Sequence, residues 1–337
     1  MPAMGRALAP LGWLYGLGAR LDRWSHAAGW RGVERLPCRV VGVGNLVAGG
    51  AGKTPTAAWV ARALRERGHR VVLASRGYGR RGRRDIVVVS DGKFVRAGVA
   101  EAGDEPLVLA AHAPGVPVLV GRDRARVGWR ALSTFGAEVL VLDDGFQHHR
   151  LHRDVDLVLF DGRVGFGNGR CLPAGPLREP PAALRAAACV GVVDGPLSER
   201  HEARLGKLAP AAFRFAARRR PASLRSLSGG PREDPGLLRG VELGVLSGLA
   251  RPDGLRLSLE ALGAKVVAER RFRDHHVYRA GDLAGLADAA PLWVTSEKDA
   301  VKILASWTVP ADVRVLSIEL EVDAPDSLLD WLEAQFR

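Results

Sequence analysis

Residues 44–56 read GNLVAGGAGKTPT, a glycine-rich run closed by a lysine and a threonine. Glycines let a backbone wrap an anion with successive N–H groups pointing inward. A helix opening at the end of such a loop adds positive potential at its N-terminus. In that setting Lys53 reaches the β- and γ-phosphates of a nucleotide and the Thr54 hydroxyl ligates Mg²⁺. Gly49, Gly50, Ala51, Gly52 and Pro55 complete the candidate nucleotide-binding run. The strict spacing G-x4-G-K-[ST] would put its first glycine at 47, where this chain has Val47. The Gly49-Gly50 pair must then supply the turn. The plain alternative is a glycine-rich turn with a coincidental Lys-Thr.

Three further stretches carry chemistry-bearing residues. VLVLDDGFQHH (139–149) is an apolar run ending in Asp143-Asp144. A carboxylate at the end of a strand can face a metal ion beside a phosphate loop, although paired acids at strand ends also serve as turn residues. AGDEPLVLA (102–110) places Asp104 and Glu105 at the start of an apolar helix. Asp is a favoured helix cap; the alternative is a base that takes the proton of an alcohol. FRDHHVY (272–278) puts His275 and His276 after a strand, where a histidine beside an aspartate can tune a base across a cleft. The adjacent pair is not a plausible metal site.

These groups need elements to hold them. Arg39 to Gly44, 70–75, 85–92, 117–120, 137–144, 154–161 and 189–194 read as strands. Helical spacing appears over Thr54 to Arg67, Gly103 to His112 and Arg122 to Phe135, and 182–188 is a further helix candidate. The alternation predicts an α/β fold with a parallel sheet covered on both faces. From 211–218 to about Gly240 the chain turns basic and rich in Gly, Pro and Ser, which reads as a domain junction. A second run follows, with strands at 241–248, 265–272 and 291–296 and helices near 252–262, 281–288 and 298–305. The segments 211–218 and 312–322 flank this run and are expected to pair as a two-stranded connector. A last helix is expected over 326–336. The expected division is 1–30 as an N-terminal helix, 31–210 as the core, 211–222 and 312–322 as linker strands, 240–311 as a second lobe, and 323–337 as a C-terminal helix.

The 337 residues are 47% hydrophobic, enough for a real core, and this excludes a wholly disordered chain or a polytopic membrane protein. Cys38, Cys171 and Cys189 are far apart and form no metal or disulfide pattern. The net charge is +12, with six lysines and 43 arginines. That excess reflects either base composition or an acidic partner such as a nucleotide, a nucleic acid or an anionic membrane. Ala7 to Ala19 carries no charge but is too short to span a bilayer, which takes about 20 residues. Trp13, Tyr15, Trp24 and Trp30 alternate with Arg6, Arg20, Arg23 and Arg31, which suits a helix in the headgroup region or an amphipathic helix packed on the domain.

Taken in order, the phosphate-type loop, SRGYGR (75–80), AGDEP (102–106), GRDR (121–124), LDDGFQH (142–148), LPAGPLREP (172–180), FRDHH (272–276) and TSEKDAVK (295–302) resemble the tetraacyldisaccharide 4′-kinase family. The resemblance covers nearly the whole chain. It implies a P-loop NTPase-like α/β/α core lobe with a second, smaller α/β/α lobe joined by a two-stranded β linker. It implies transfer of the ATP γ-phosphate, with Mg²⁺, to the 4′-hydroxyl of the lipid A disaccharide 1-phosphate, giving lipid IVA. The implied location is the cytoplasmic face of the Gram-negative inner membrane, as a peripheral or monotopic protein meeting the membrane through its N-terminal helix. No nucleic acid and no obligate protein partner are implied. The family pattern assigns the base to Asp104, assisted by His275, and assigns Mg²⁺ and catalysis to Asp143 and Asp144. Arg76, Tyr78, Glu105, Arg124, Gln147, His148 and Arg178 fall in motifs resembling substrate or active-site contacts. Members of the family also lack the leading loop glycine.

One departure is visible: SGLARP (247–252) has Ala250-Arg251 where the family usually carries Gly-Asn. A regulatory P-loop ATPase would share the loop and the Asp-ended strand but would need no base for an alcohol. A nucleic-acid-binding protein would explain the charge, yet no recognition helix, OB or RRM signature is present.

Overall fold

The computed structural model describes residues 7–82, 84–250, 253–303, 307 and 309–337. Arg6 and Arg251, singled out above, lie outside the described residues. In chain order the elements are α1 (Ala9–Ala27), β1 (Arg39–Asn45), α2 (Lys53–Glu66), β2 (Val71–Ser75), β3 (Ile86–Asp91), α3 (Val99–Ala102), α4 (Asp104–His112) and β4 (Pro117–Gly121). Then come α5 (Arg124–Phe135), β5 (Val139–Asp143), β6 (Val155–Asp161), β7 (Cys189–Val193), α6 (Glu199–Leu208) and β8 (Phe213–Ser226). The chain closes with β9 (Glu242–Ser247), α7 (Asp253–Ala261), β10 (Lys265–Arg271), α8 (Leu286–Ala289), β11 (Leu292–Ser296), α9 (Glu297–Ala300), β12 (Asp312–Val322) and α10 (Pro325–Ala334).

All twelve strands join one sheet in the order β10-β9-β11-β12-β8-β7-β6-β1-β5-β2-β4-β3. β1 lies between β5 and β6 and is parallel to both, with Val43 opposite Asp143 and Val41 opposite Val155. Its valines are buried because helices cover both faces, which is why the strand reads as an unbroken apolar run. Val60 and Leu64 of α2 pack on one face with Leu73 and Val141, and Leu328 and Leu332 of α10 join the same cluster. Val127 and Ala131 of α5 pack on the other face against Leu140 and Leu142. The chain leaves β1 toward β2 on one side and reaches β6 on the other. The carboxyl ends of β1, β2 and β5 therefore border a crevice at a topological switch point, where α/β sheets bind ligands.

Antiparallel pairs occur at two places. β3 closes the edge against β4. β8 runs antiparallel to β12 from Ala217 opposite Val322 to Ser226 opposite Arg314, and parallel to β7 on its other side. This ribbon is the expected connector, but it is longer than the sequence suggested. The basic stretch read as a junction continues as strand through Pro221 to Ser226. Its arginines are tolerated because every second side chain of a strand points to solvent, and Arg218 and Arg220 face Glu321 on the partner strand.

Other boundaries differ for local reasons. The 182–188 candidate is a 3-10 turn at Pro181–Ala186. The expected helix near 281–288 divides into a 3-10 turn, Ala280–Leu283, and α8. That near 298–305 is the single turn α9, and residues 304–306 lie outside the described residues. α6 carries few apolar residues and was not anticipated, since only Leu205 is buried on it.

α1 is a 19-residue helix whose buried positions are Gly12, Gly16 and His26. It docks on the 171–180 loop through its glycines. A Cβ at Gly12 would lie 2.7 Å from the Ala174 Cβ, and one at Gly16 would lie 3.1 Å from the Cys171 Sγ. Trp13, Leu14, Leu17, Leu21 and Trp24 point away and are 38–67% exposed. The face that packs is the glycine face, not the aromatic one. Gly12→Val should therefore unseat the helix. We expect a stability loss of about 1–3 kcal/mol by urea titration, with faster amide exchange over 171–180; an unchanged urea midpoint would count against the docking.

Candidate functional site

The loop between β1 and α2 turns on Gly49 and Gly52, whose φ angles of 121° and 80° favour glycine. Gly52 caps α2, so Lys53 is the first helical residue and the loop N–H groups precede a helix N-terminus. Asn45, which the sequence reading left without a role, organises the loop. Its side-chain amide donates to the carbonyls of Val47 and Gly49, and its Oδ1 accepts from Lys53 Nζ at 3.1 Å. From the ribbon, Arg219 Nη1 donates to the Gly50 carbonyl at 3.3 Å. Arg219 is itself gripped by Asp194, which accepts from its backbone N at 2.8 Å and its Nε at 2.7 Å.

Parallel register sets the carboxylates against this loop. Val43 pairs with Asp143, and Ala74 with Leu142, so Asp143 emerges between the ends of β1 and β2. Thr54 Oγ1 and Ser75 Oγ each donate to Asp143 Oδ2 at 3.5 Å. Ser75 was not anticipated. Asp143 Oδ1 is buried with no partner. Burial, reinforced by the charges of Glu105 and Asp144, pushes the Asp143 carboxyl up to about 7. Asp144 follows in a left-handed turn with φ 57°. Burial alone would raise its carboxyl, but Lys53 and Arg178 outweigh that and hold it below the usual range. Arg178 Nη1 lies 2.9 Å from both Asp144 oxygens, and Lys53 Nζ lies 3.7 Å from Oδ1.

Across the cleft stands a second group. Asp104 is the first residue of α4; the cap is Gly103, and Asp104 Oδ1 accepts from the adjacent Glu105 N–H, at 2.9 Å. Its Oδ2 lies 3.0 Å from His275 Nδ1, 171 residues along the chain. His275 adopts φ 56°, and its ring centroid is 5.0 Å from that of Tyr78, which is itself 63% exposed. Lys298 Nζ contacts Glu105 Oε1 at 3.4 Å, Asp274 Oδ1 at 3.3 Å and His275 Nε2 at 3.5 Å. An ammonium is donor-only, so its approach to Nε2 favours the tautomer that donates from Nδ1 to Asp104. α4 is also clasped at its far end, where His112 Nε2 meets Glu297 Oε2 at 2.7 Å. His276 takes no part: it pairs with Asp282 at 2.9 Å and stacks on Phe272.

The remaining candidates lie in a band around these groups. Arg124 is buried, donates to the carbonyls of Gly121 and Arg122, and has its basicity lowered to about 10 by burial and then by Arg76. It stays cationic at neutral pH. Arg76 is exposed. Gln147 donates to the Asn45 carbonyl at 3.0 Å and to Glu179 at 3.2 Å. Glu179 accepts both N–H groups of Arg23, at 2.7 and 2.9 Å, tying α1 to the site. His148 is pushed down to about 4 by burial and then by Arg124 and Arg153, so it is neutral at pH 7. Gln147 and His148 line a cavity of about 530 Å³ with Asp22, His26, Arg31 and Arg150, apart from the Asp104–His275 pair.

The donor set suits Mg²⁺. Asp143 offers an unpartnered buried oxygen and Thr54 a hydroxyl, both hard ligands. Among the described residues no group of three or more His, Cys, Asp or Glu side chains forms a metal cage. That fits an ion held by one or two carboxylates and completed by phosphate oxygens and water.

A phosphate loop at a switch point, an acid at the neighbouring strand end and an Asp–His pair opposite define a P-loop phosphotransferase. Known sequences narrow the class. The pattern of the tetraacyldisaccharide-1-P 4′-kinase family matches residues 4–337. The tetraacyldisaccharide 4′-kinase of Anaeromyxobacter dehalogenans (strain 2CP-C) is 46% identical over 298 residues, covering 86% of this chain and 79% of that protein. That of Anaeromyxobacter sp. (strain Fw109-5) is 42% identical, covering 99% of this chain and 93% of that protein. The crystal structure of LpxK from Aquifex aeolicus, described as in complex with ATP, superposes with a TM-score of 0.79 at 28% identity, covering 99% of this chain and all of that one. The chain belongs to the tetraacyldisaccharide 4′-kinase family, whose members phosphorylate a hydroxyl of the lipid A precursor.

The raised Asp143 carboxyl has a consequence for stability. Between about pH 4 and pH 7 the folded protein holds a proton there that the unfolded chain, near 3.8, has released. Stability of the metal-free protein therefore falls as pH rises through that window and stays lower above it. Asp143→Asn should remove the loss. We expect the metal-free variant to be more stable than the parent by about 1–3 kcal/mol at pH 8, the two converging below pH 4, as read by calorimetry across pH 4–8.

Proposed function

We propose that this kinase transfers the γ-phosphate of ATP to the 4′-hydroxyl of a tetraacylated disaccharide 1-phosphate with Asp104 as the base, His275 as its partner and the bilayer surface as its workplace. The observation carrying the reading is the 3.0 Å contact between Asp104 and His275, brought together from distant parts of the chain beside a phosphate loop. A sugar hydroxyl ionises far above neutral pH, so its attack needs a positioned acceptor for the proton. Asp104 is 4% exposed, and His275, against its Oδ2, fixes the direction of the carboxylate that takes the proton. On this reading residues 31–210 hold the nucleotide and residues 240–311 supply His275 and its lysines.

The loop backbone, with Gly49 to Gly52 and the start of α2 at Lys53, Thr54 and Pro55, cradles the triphosphate. Lys53 neutralises charge on the transferring group, which in phosphoryl transfer spreads over three oxygens in a loose transition state. Asp143 and Thr54 would hold Mg²⁺, with Asp144 next to them braced by Arg178; the ion, when bound, screens the β- and γ-phosphate charge. Arg124 and Arg76 add positive potential on the acceptor side. Gln147 and His148 border the cavity under α1, where the sugar enters.

Support for the membrane surface comes from α1. Among the described residues no helix is long and apolar enough to cross a membrane. Instead α1 presents exposed Trp13, Leu14, Tyr15, Leu17 and Trp24 while its glycines pack inward. A helix of this kind lies in the interface plane, and the net charge of +12 favours an anionic leaflet.

Two expectations test the reading. Asp104→Asn should lower kcat by about 10²–10⁴-fold while ATP affinity stays within about twofold. The readout is bis-phosphorylated lipid formed from labelled ATP and the disaccharide 1-phosphate in detergent; a variant that loses ATP binding and keeps its chemistry would make Asp104 a nucleotide contact. Trp13→Ser with Leu17→Ser should shift the protein off anionic vesicles by about tenfold or more and raise KM for the lipid, with kcat preserved; unaltered partitioning would remove α1 from the membrane contact.

A further inference from the structure

TSEKDAVK ends in a lysine that the reaction described above does not use. Lys302 follows α9, and its side chain is only 5% exposed. Its Nζ lies 2.9 Å from Asp299 Oδ1, 4.0 Å from Asp104 Oδ2 and 5.4 Å from the centroid of the Tyr278 ring. Asp299 is fully buried and fixed by its other oxygen, which accepts from the Gly248 N–H at 3.1 Å and the Ser296 hydroxyl at 2.8 Å. The ammonium is thus anchored on a rigid carboxylate, with an aromatic face beside it and Asp104 within reach.

We infer that Lys302 is a positioning residue for phosphoryl transfer: paired with Asp299, it holds the Asp104 carboxylate aimed at the acceptor hydroxyl alongside His275.

The physical need is specific. A buried carboxylate serves as a base only if it is turned toward the hydroxyl whose proton it takes. The charged and titratable groups around it are His275 and Lys298 on one flank, with Asp274 beside them, Glu105 next along α4, and Lys302 with Asp299 behind. Glu105, Asp274 and Asp299 are the neighbouring carboxylates. Lys298 is shared among the first two and His275, and is 20% exposed. Lys302 has no ion-pair partner among the described residues beyond Asp299 and Asp104, and it is drier, so its attraction on Asp104 is the less screened. The proton that Asp104 accepts comes from the sugar hydroxyl, and Lys302 exchanges none; it acts by charge and by direction.

The inference rests on Asp104 being the base, so the test separates the two. Lys302→Met leaves Asp299 without its cation and risks misfolding. Lys302→Met combined with Asp299→Asn removes both charges and keeps an acceptor for Gly248 and Ser296. We expect the folded double variant to lose about 10–100-fold in kcat with KM for ATP and for the disaccharide within about twofold. Lys302→Arg should retain more of kcat than the double variant. A folded double variant with normal kcat overturns the inference, as does a change confined to KM. If neither Met-containing variant folds, the lysine is a structural ion pair and the inference is wrong. Asp104→Asn run in parallel distinguishes the failures: near-normal turnover there removes the base itself, whereas an inactive Asp104→Asn beside normal Lys302 variants removes only the role of the lysine.

Discussion

Four carboxylates, Asp104, Glu105, Asp143 and Asp144, crowd a cleft shaped to hold a polyphosphate, and their mutual repulsion is the constraint to which the surroundings answer. Carboxylates placed together in a dry site oppose one another's ionisation. Asp143 shows the effect, pushed up to about 7 by burial and its acidic neighbours. Asp144 shows the remedy, held low by Lys53 and Arg178 once burial has been outweighed. On the far side, Lys298 spans Glu105, Asp274 and His275. The cations come from β-strand ends, loops and both halves of the sheet. Asp144 is held low only when those parts are assembled around it.

Assembly is the task of the long sheet. The crevice beside β1 brings Thr54, Ser75 and Asp143 together because parallel neighbours share a register, so their carboxyl ends finish at one level. The antiparallel ribbon of β8 and β12 carries the second set of strands on the same sheet, so His275, Lys298 and Lys302 are delivered to the opposite lip without a separate interface. The same ribbon touches the phosphate loop itself through Arg219 and the Gly50 carbonyl. The phosphate loop and the Asp104–His275 pair are thus linked through hydrogen-bonded backbone as well as through side chains.

α1 meets a different constraint. Exposed apolar area is normally costly for solubility, yet one face of this helix keeps it. Glycines on the packed face let the helix lie close to the 171–180 loop, and the bidentate Arg23–Glu179 pair locks it there. Glu179 also receives Gln147, which reaches the Asn45 carbonyl beside the loop. The outward face is thereby free to remain aromatic and aliphatic.

The phosphate loop, the Asp-ended strand β5 and most α/β elements were legible in the chain because each is specified by local rules: glycine spacing, apolar runs of strand length, helical periodicity. The family motifs extended that reading to Asp104 and His275. Asn45, Ser75 and Glu179 stood in quoted motifs and Arg219 in none, yet nothing in their neighbourhoods distinguishes a loop brace from an ordinary polar residue. Lys298 and Lys302 stood in a quoted motif, yet its spacing gave no partner for them. Strand β8 outran its expected end because Pro221 and a run of arginines look like a junction, and only pairing with the acidic side chains of β12 makes them a strand. Local chemistry along the chain therefore determined which groups can bind phosphate and take a proton. Contacts between residues far apart in the chain, such as Asp104 and His275 at 171 positions, were decided by the tertiary fold, because sheet order and register are properties of the whole sheet rather than of any segment in it.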